Sequence, residues 1–188
     1  MDNKVIKSII VVVVLVGLYM LNLQQQNHYN NEGEKFFTIE KNLIKKIIIS
    51  AQDDAIELSM QDSTWYISGN DSLNIKQNMV GNLLTNLSDI KQLHVVTTKE
   101  EKWILYGVDA PTGTHLALVG SGGNTLAYYV FGKTNEFNKC YVRTDKNMEV
   151  HMLNSNIMFQ LKTDANFWGE ILKEEIIPDS TLVPATAF

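Results

Sequence analysis

The α+β class, an antiparallel β-sheet packed by a few helices and preceded by one N-terminal transmembrane helix, is the fold that the sequence predicts. Residues 9–21 form an uncharged, apolar run of the length that a membrane helix needs. Short segments of alternating apolar and polar residues follow, separated by polar turns, as in strands of a half-buried sheet. These segments do not alternate regularly with helical patterns, which favours antiparallel pairing.

The apolar run extends over residues 5–23 and is interrupted by Lys7, Ser8 and Asn22. As a helix it would span about 28 Å, close to the roughly 30 Å of a bilayer's hydrocarbon core. Lys4 and Lys7 precede it and residues 23–31 contain no Lys or Arg, so we expect the N-terminus to stay in the cytoplasm. The predicted location is the cytoplasmic (inner) membrane, crossed once, with the domain in the periplasm or an equivalent extracytoplasmic space.

A cleaved signal peptide is the alternative interpretation of this run. Cleavage needs small residues near the site, whereas residues 19–22 are Tyr, Met, Leu and Asn. We therefore expect a retained anchor. The predicted parts of the chain are a transmembrane anchor (1–23), a polar tether (24–35), an extracytoplasmic α+β domain (36–176) and an irregular tail (177–188).

Eight strands and a few helices are predicted within the domain. The clearest helix has apolar residues at three-and-four spacing over 75–90. A turn of helix is expected over 99–105, and caps at Asn154 or Ser155 and at Asp164 favour helices to about 162 and over 165–173. The predicted strands cover residues 46–50, 55–60, 65–68, 93–97, 115–119, 125–131, 140–144 and 149–153.

Glycine and proline positions predict where the chain turns. Residues 120–124 (GSGGN) suit a hairpin loop in which several residues have positive φ. Gly107 would permit a tight turn and Pro111 would end local structure. Gly132 would let its strand leave the sheet, which would place Lys133 in a turn.

Composition excludes several classes of function. The net charge is −5, and outside residues 1–23 there are 14 basic against 20 acidic residues, so nucleic acid is not expected as a partner. Cys140 is the only cysteine, which excludes an intrachain disulfide and a thiolate metal cluster, and we expect it to be a small buried residue. Plentiful Asn, Ile and Lys with only three prolines fit an AT-rich bacterial genome.

One segment resembles a phosphate-binding loop, and we interpret the match as accidental. Residues 127–134 (AYYVFGKT) satisfy the loose template, but a phosphate loop must curl around an anion and enter a helix. Tyr128, Tyr129, Val130 and Phe131 favour an extended strand instead.

The remaining polar candidates do not form a catalytic arrangement. The four histidines show no metal-ligand spacing, although His94, His115 and His151 could converge if their strands were neighbours; isolated strand histidines are more often exposed or half-buried. Ser121 lacks the turn that activates a serine nucleophile. The sequence therefore predicts no enzyme, and no catalytic, cofactor-binding or metal-binding residue. The other residues considered for catalysis or metal binding, and assigned to neither, are His28, Asp53, Asp54, Glu174 and Glu175.

Aromatic residues offer two interpretations, core and rim packing or a groove for a sugar or peptide, and we favour packing. They are Trp65, Tyr66, Trp103, Tyr106, Tyr128, Tyr129, Phe131, Tyr141, Phe167 and Trp168.

Eight short pieces occur in order along the domain: IIIS (47–50), TWYIS (64–68), VGNLLTNLSDI (80–90), YGVDAP (106–111), FGK (131–133), YVR (141–143), EVHML (149–153) and FWGEIL (167–172). In this order they resemble the uncharacterised bacterial envelope family called domain of unknown function 4340 (DUF4340). The resemblance implies a membrane-anchored envelope protein of the kind encoded beside gliding-type ABC transporter components, and it assigns no site residues.

The leading hypothesis is a non-catalytic accessory or assembly subunit of a larger membrane complex. Its partners would be the membrane and other subunits of the complex, with ABC transporter components implied by the resemblance. The alternative is an envelope glycan- or peptide-binding module that uses Trp65, Trp103 or Trp168. A hydrolase ranks last, because a nucleophile, a base and an orienting group are not recognisable together.

Overall fold

The computed structural model describes residues 12–20 and 33–171. Residues 12–20 form helix α1, whose side chains are exposed. Within the described ranges, no helix has both the length and the apolar character needed to cross a membrane. Much of the predicted anchor (1–23) and of the tether, and the whole predicted tail (177–188), lie outside the described residues. The chain divides into two units between residues 34 and 35, and each is described by itself.

The main sheet contains the eight strands that the sequence predicts, with ends that shift by a residue or two. In residues 33–171 they are β1 (Lys46–Ala51), β2 (Asp54–Gln61), β3 (Thr64–Ile67), β5 (Gln92–Thr97), β6 (Thr114–Val119), β7 (Thr125–Lys133), β8 (Cys140–Thr144) and β9 (Val150–Leu153). Every neighbouring pair is antiparallel, in the order β3-β2-β1-β6-β7-β8-β9-β5. The α+β, antiparallel prediction is confirmed for this domain.

Two short strands, β4 (Leu73–Ile75) and β10 (Gly169–Ile171), pair separately, and neither is among the strands predicted from the sequence. The helices of this part are α2 (Gln77–Asp89), α3 (Trp103–Tyr106) and α4 (Ala165–Trp168). Helix α2 starts two residues later than predicted because Ile75 belongs to β4. Asp164 caps α4 as predicted, with its Oδ1 accepting a hydrogen bond from the Asn166 N–H at 2.9 Å.

One face of the main sheet carries the large core. Helix α2 lies over it, and its three-and-four spacing buries Val80, Leu83, Leu84 and Leu87. Fully burying such an aliphatic side chain stabilises the fold by about 1.5–3 kcal/mol. The sheet residues of this core include Ile47, Ile49, Ile56, Leu58, Leu116, Leu118, Phe131, Val142 and Leu153.

The opposite face is covered differently, by residues 99–113, which we call the strap. The strap joins β5 at one edge of the sheet to β6 in the middle, so it passes over the strands between them. Beneath it lies a smaller cluster of Val108, Val130 and Val150, with Trp103 and Tyr141 packed against them. The sheet is therefore closed by a long helix on one face and by the strap on the other.

Two helix predictions were wrong. Residues 154–162 form no α-helix; they are irregular apart from a turn at 158–160, and the Asn156 Oδ1 accepts the Met158 N–H at 3.0 Å. The helix predicted over 165–173 ends at Trp168, since residues 169–171 pair with β4.

The predicted strand end at Gly132 was also wrong. Gly132 and Lys133 continue β7 and pair with Tyr141 and Cys140. The loop over residues 120–124 is confirmed, with positive φ at Gly122 and Gly123.

Candidate functional site

The strap contacts the backbone of β7 directly at Gly132, where there is no side chain. A Cβ built on Gly132 would overlap the carbonyl oxygen of Tyr106, and it would lie 2.9 Å from the carbonyl of Gly107. Gly107 takes φ +60°, the left-handed conformation that ends helix α3. The tight turn predicted at Gly107 is confirmed, and its closeness to Gly132 sets the height of the strap above β7.

Arg143 holds the strap from the sheet side. Its Nε donates a hydrogen bond to the Val108 carbonyl oxygen at 2.6 Å, and its guanidinium carbon lies 4.0 Å from the centre of the Trp103 ring. The Trp103 Nε1 donates in turn to the Met148 carbonyl oxygen at 3.2 Å. A cation stacked on an indole and bonded to a carbonyl makes a directional contact.

His115 binds the strap near its C-terminal end, at Ala110. The Nε2 of His115 lies 2.8 Å from the Ala110 carbonyl oxygen, and its Nδ1 lies 2.6 Å from the Tyr128 hydroxyl. Since a carbonyl only accepts, Nε2 carries the proton and Nδ1 accepts from the hydroxyl. The Ala110 carbonyl of the strap and the Tyr128 hydroxyl of β7 therefore occupy both nitrogens of His115.

One end of the sheet, which we call the apolar end, exposes the large apolar side chains of Ile104, Leu105, Phe137 and Phe159, with Met158 half-buried beside them. Phe137 is 95% exposed and Leu105 75% exposed. The register brings the start of β6, the end of β7 and the start of β8 to this end. Ile104, Leu105 and Met158 line a cleft of about 560 Å³, and Phe137 and Phe159 line another of about 510 Å³.

The loop that carries Phe137 is held by its own polar groups. The Thr134 hydroxyl donates to the Glu136 carbonyl oxygen at 2.8 Å, and Lys139 Nζ lies 2.7 Å from Glu136 Oε2. Asn156 Nδ2 donates to the Phe137 carbonyl oxygen at 2.9 Å. These bonds fix the backbone of the loop while its aromatic ring stays in solvent.

A polar corner interrupts the helix-covered face at the other end of β7. Tyr129 pairs with Thr144, and His151 pairs with Val142 two residues away, so all three side chains share the face of the apolar core. Together with Phe36 and residues 144–147 they line a cleft of about 360 Å³, which we call the corner cleft. Its remaining lining residues are Lys35, Thr38, Gln92, Ala127, Tyr128 and Glu149.

Burial favours the neutral forms of Tyr129 and His151 in the corner cleft. Burial, with a smaller contribution from the charge of Asp145, raises the pKa of Tyr129 to about 12. Burial lowers the pKa of His151, although Glu149 opposes that shift. The Nε2 of His151 lies 3.3 Å from Glu149 Oε2, and because the carboxylate only accepts, that nitrogen carries the proton.

The strand histidines weighed as metal ligands do not converge. His94 is exposed on β5 and His115 lies under the strap, whereas His151 is buried rather than half-buried. No group of three or more potential metal ligands occurs within the described residues. His28, Glu174 and Glu175 lie outside those residues.

The other polar residues considered as functional candidates lie in strands and turns, as expected from the sequence. Residues 125–133 are extended, so the phosphate-loop template has the strand context that we expected. Ser121 lies in the short 3₁₀ turn of the glycine loop, while Asp53 and Asp54 are exposed beside the turn between β1 and β2. Cys140 is buried as predicted, and burial raises its pKa to about 11.

The three tryptophans do not form one groove. Trp65 and Trp168 are buried in the large core, which agrees with the packing interpretation. Trp103 is half-buried, and Arg143 stacks on its ring. A ligand groove built on Trp65 or Trp168 is therefore excluded. Tyr129 and His151 carry no sequence signal that distinguishes them from the other aromatic and histidine residues.

Fold and site together define an α+β domain with an eight-stranded antiparallel sheet within the described residues, closed by a helix on one face and by a strap seated on glycine on the other. The family described as "Domain of unknown function (DUF4340)" matches residues 65–170, more than half of the chain, and the protein belongs to this family. Comparison with curated proteins and with solved structures finds no match.

The family match covers the strap and the strands on which it rests, and it begins after β1 and β2. Three of the pieces that carry the resemblance, YGVDAP, FGK and YVR, meet in space through Gly107, Gly132 and Arg143. Their shared role in this chain is to seat the strap.

Proposed function

We propose that this protein is a non-catalytic accessory or assembly subunit of a membrane complex in the bacterial envelope. Its apolar N-terminal run would anchor it, and the apolar end of the domain would bind the extracytoplasmic surface of another subunit. The observation that supports this proposal is the rigid display of Phe137 at the apolar end.

The apolar end has the features of a protein interface. An aromatic ring exposed to 95% loses contact with water when a partner covers it, and each such anchor is typically worth about 2 kcal/mol. The hydrogen bonds of residues 134–139 order the backbone before binding, so less conformational entropy is lost on association. Leu105 and Phe159 provide further apolar area beside the two clefts.

Partner subunits of the ABC transporter type follow from the resemblance alone, and they belong to the proposal as its most specific form. The acidic balance of the chain also favours a protein partner over nucleic acid.

The test compares full-length chains purified in mild detergent at native expression level. The double variant Phe137→Ser with Leu105→Ser is expected to lose the stoichiometric partner, because two anchors of about 2 kcal/mol each together weaken binding by several hundredfold. Met148→Ser is the matched control, since Met148 is 56% exposed in the β8–β9 turn at the other end of the sheet.

Native mass spectrometry gives the mass of the complex for each chain. A clean monomer in the wild type, or a complex that survives in the double variant, would contradict the proposal. Loss of the complex in Met148→Ser alone would move the interface to the opposite end of the sheet.

A ligand-binding module is the second candidate, and the corner cleft is the observation that favours it. The cleft shares no lining residue with the apolar end, so one chain can carry both functions.

A further inference from the structure

The corner cleft contains polar groups that the fold itself does not satisfy. Tyr129 is only 5% exposed, yet its hydroxyl makes no hydrogen bond within the described residues. In the same part of the chain, the one side-chain polar atom that is both sealed from solvent and unpaired is Gln160 Oε1. The Tyr129 hydroxyl therefore still reaches the open space of the cleft.

The helix-covered face is mostly apolar elsewhere, with Thr114 as a further buried polar residue, so a cluster of several polar groups makes this corner unusual. Neighbouring positions on the same face are Phe131, Val142 and Leu153, all fully buried. Placing a tyrosine hydroxyl, a threonine and an imidazole there sacrifices apolar burial, and buried polar groups without partners destabilise a fold. Residues that break the pattern of a core in this way mark a functional site more often than a packing defect.

His151 adds a second group that is available to a ligand. Its Nε2–H points to Glu149, so its Nδ1 is an acceptor, and Nδ1 has no partner within residues 12–20 and 33–171. Tyr129 and His151 are both buried, and both are held by Phe36, whose ring centre lies 5.8 Å from that of Tyr129 and 5.4 Å from that of His151. The site is thus partly aromatic, with a neutral donor and a neutral acceptor.

The charges around the cleft cancel. Lys35 and Lys146 are balanced by Asp145 and Glu149, so the cleft offers no net attraction to an ion. Neutral hydrogen-bonding groups remain, supplied by threonine, asparagine and glutamine side chains at the rim. A ligand that fits must be uncharged, rich in hydroxyl groups and apolar on one face.

We propose that the corner cleft binds a neutral saccharide unit, with the Tyr129 hydroxyl and the His151 Nδ1 bonding its hydroxyl groups and the Phe36 ring packing on its apolar face. The cleft volume of about 360 Å³ lies at the lower end of the range of small-molecule sites, which suits one or two sugar rings. This inference deepens the second candidate function and does not depend on the docking proposal.

The test is ligand-observed saturation-transfer NMR on the full chain in detergent micelles. The probes are glucose, N-acetylglucosamine and its β-1,4-linked dimer, with trialanine as the peptide comparison. We expect transfer to at least one sugar and not to trialanine. A stronger signal for the dimer than for either monosaccharide would indicate that the natural ligand is a glycan rather than a free sugar.

Tyr129→Phe separates binding from folding, because it removes one oxygen and keeps the ring. The expected loss of affinity is about three- to tenfold, the usual range for one neutral hydrogen bond. Thermal unfolding of the unliganded variant is expected at the wild-type temperature or slightly above it, since the hydroxyl is unpaired in the folded chain.

Tyr106→Phe is the matched control, because Tyr106 is a half-buried tyrosine on the strap side of the sheet. It is expected to bind sugar with wild-type affinity. Absence of transfer to every sugar at millimolar concentration, transfer to trialanine instead, or an unchanged affinity in Tyr129→Phe would overturn the saccharide assignment. None of these outcomes bears on the partner complex, whose test uses other residues.

Discussion

The two faces of the sheet are closed by different means. On one face, α2 buries a stripe of aliphatic side chains, and many such contacts share the stabilisation. On the other face, the strap buries little apolar area. Its position depends on Gly107, Gly132, Arg143 and His115. We therefore expect the helix-covered face to tolerate small substitutions through repacking. The strap depends on a few backbone contacts that no other residues can replace.

The largest effect is expected for Gly132→Ala on the strap face. Its Cβ would meet the Tyr106 carbonyl oxygen, which is backbone and cannot rotate away, so we expect the folded state to lose about 4 kcal/mol or more. A loss of this size would leave many domains largely unfolded. Chemical denaturation monitored by circular dichroism measures it.

Gly81→Ala is the matched control on the helix face. Gly81 is exposed inside α2 and no heavy atom lies within 4 Å of its added Cβ, so alanine is expected to stabilise the chain by about 0.5–1 kcal/mol. If both substitutions have the same sign, the contrast between the two faces is wrong.

A smaller effect is expected for Arg143→Lys. Lysine keeps the charge but cannot both donate from a planar group to Val108 and stack on Trp103, so a loss of about 1.5–3 kcal/mol is expected. Lys46→Gln provides the comparison, because it breaks an ion pair with Glu57 in which both side chains are about one third exposed, a type of pair worth at most about 1 kcal/mol. Equal losses in the two variants would show that the geometry at Arg143 contributes little beyond its charge.

The smallest effect is expected for the alkylation rate of Cys140. Because Cys140 lies on the helix-covered face, this rate tests whether the two faces of the sheet open independently. Burial raises the pKa of Cys140 from 9.0 to about 11, so below pH 9.0 the folded chain holds about a hundredfold less thiolate than the unfolded chain. We expect slow alkylation of Cys140 in the wild type and an almost unchanged rate in Arg143→Lys, as measured by mass spectrometry under native conditions.

Faster alkylation in Arg143→Lys, by as much as its loss of global stability predicts, would instead show that the two faces open together. The pKa shift also has a consequence for stability. Because the folded-state pKa of Cys140 is raised, its contribution to stability is fully present below pH 9.0 and is lost as the pH rises towards 11.

Local patterns predicted the strands and α2 well. Alternation of apolar residues located all eight strands of the main sheet, and three-and-four spacing located the buried stripe of α2. These features depend on a residue and its near neighbours, because side-chain direction repeats every two residues in a strand and every 3.6 in a helix.

The errors occur where distant residues decide the structure. Asn154 donates its N–H to the Lys91 carbonyl oxygen at 3.0 Å, and Asn156 bonds residues 137 and 158, so the predicted helix over 154–162 loses to these contacts. Residues 169–171 leave the helical path because β4 offers backbone partners nearly a hundred residues earlier in the chain. A local pattern carries no information about such partners.

The candidate sites were the least predictable part of the molecule. Phe137 was not predicted to belong to a candidate site, because a single aromatic residue in a polar loop produces no periodic pattern. Tyr129 and His151 each fit an ordinary strand, and only the register of β7, β8 and β9 places them on one face beside Phe36. The signal that could have suggested the cleft is the polar interruption of a buried face, at Thr144 and His151.

The class of fold, the strands, the burial of α2 and Cys140, and the family of the chain could all be predicted from residue patterns. The contact of YGVDAP with Gly132, its hydrogen bond from Arg143 and the cleft shared by Tyr129 and His151 are apparent only in the folded domain. Periodicity fixes which way a side chain points, whereas contact between strands depends on sheet order and register, which follow from the packing of the whole domain.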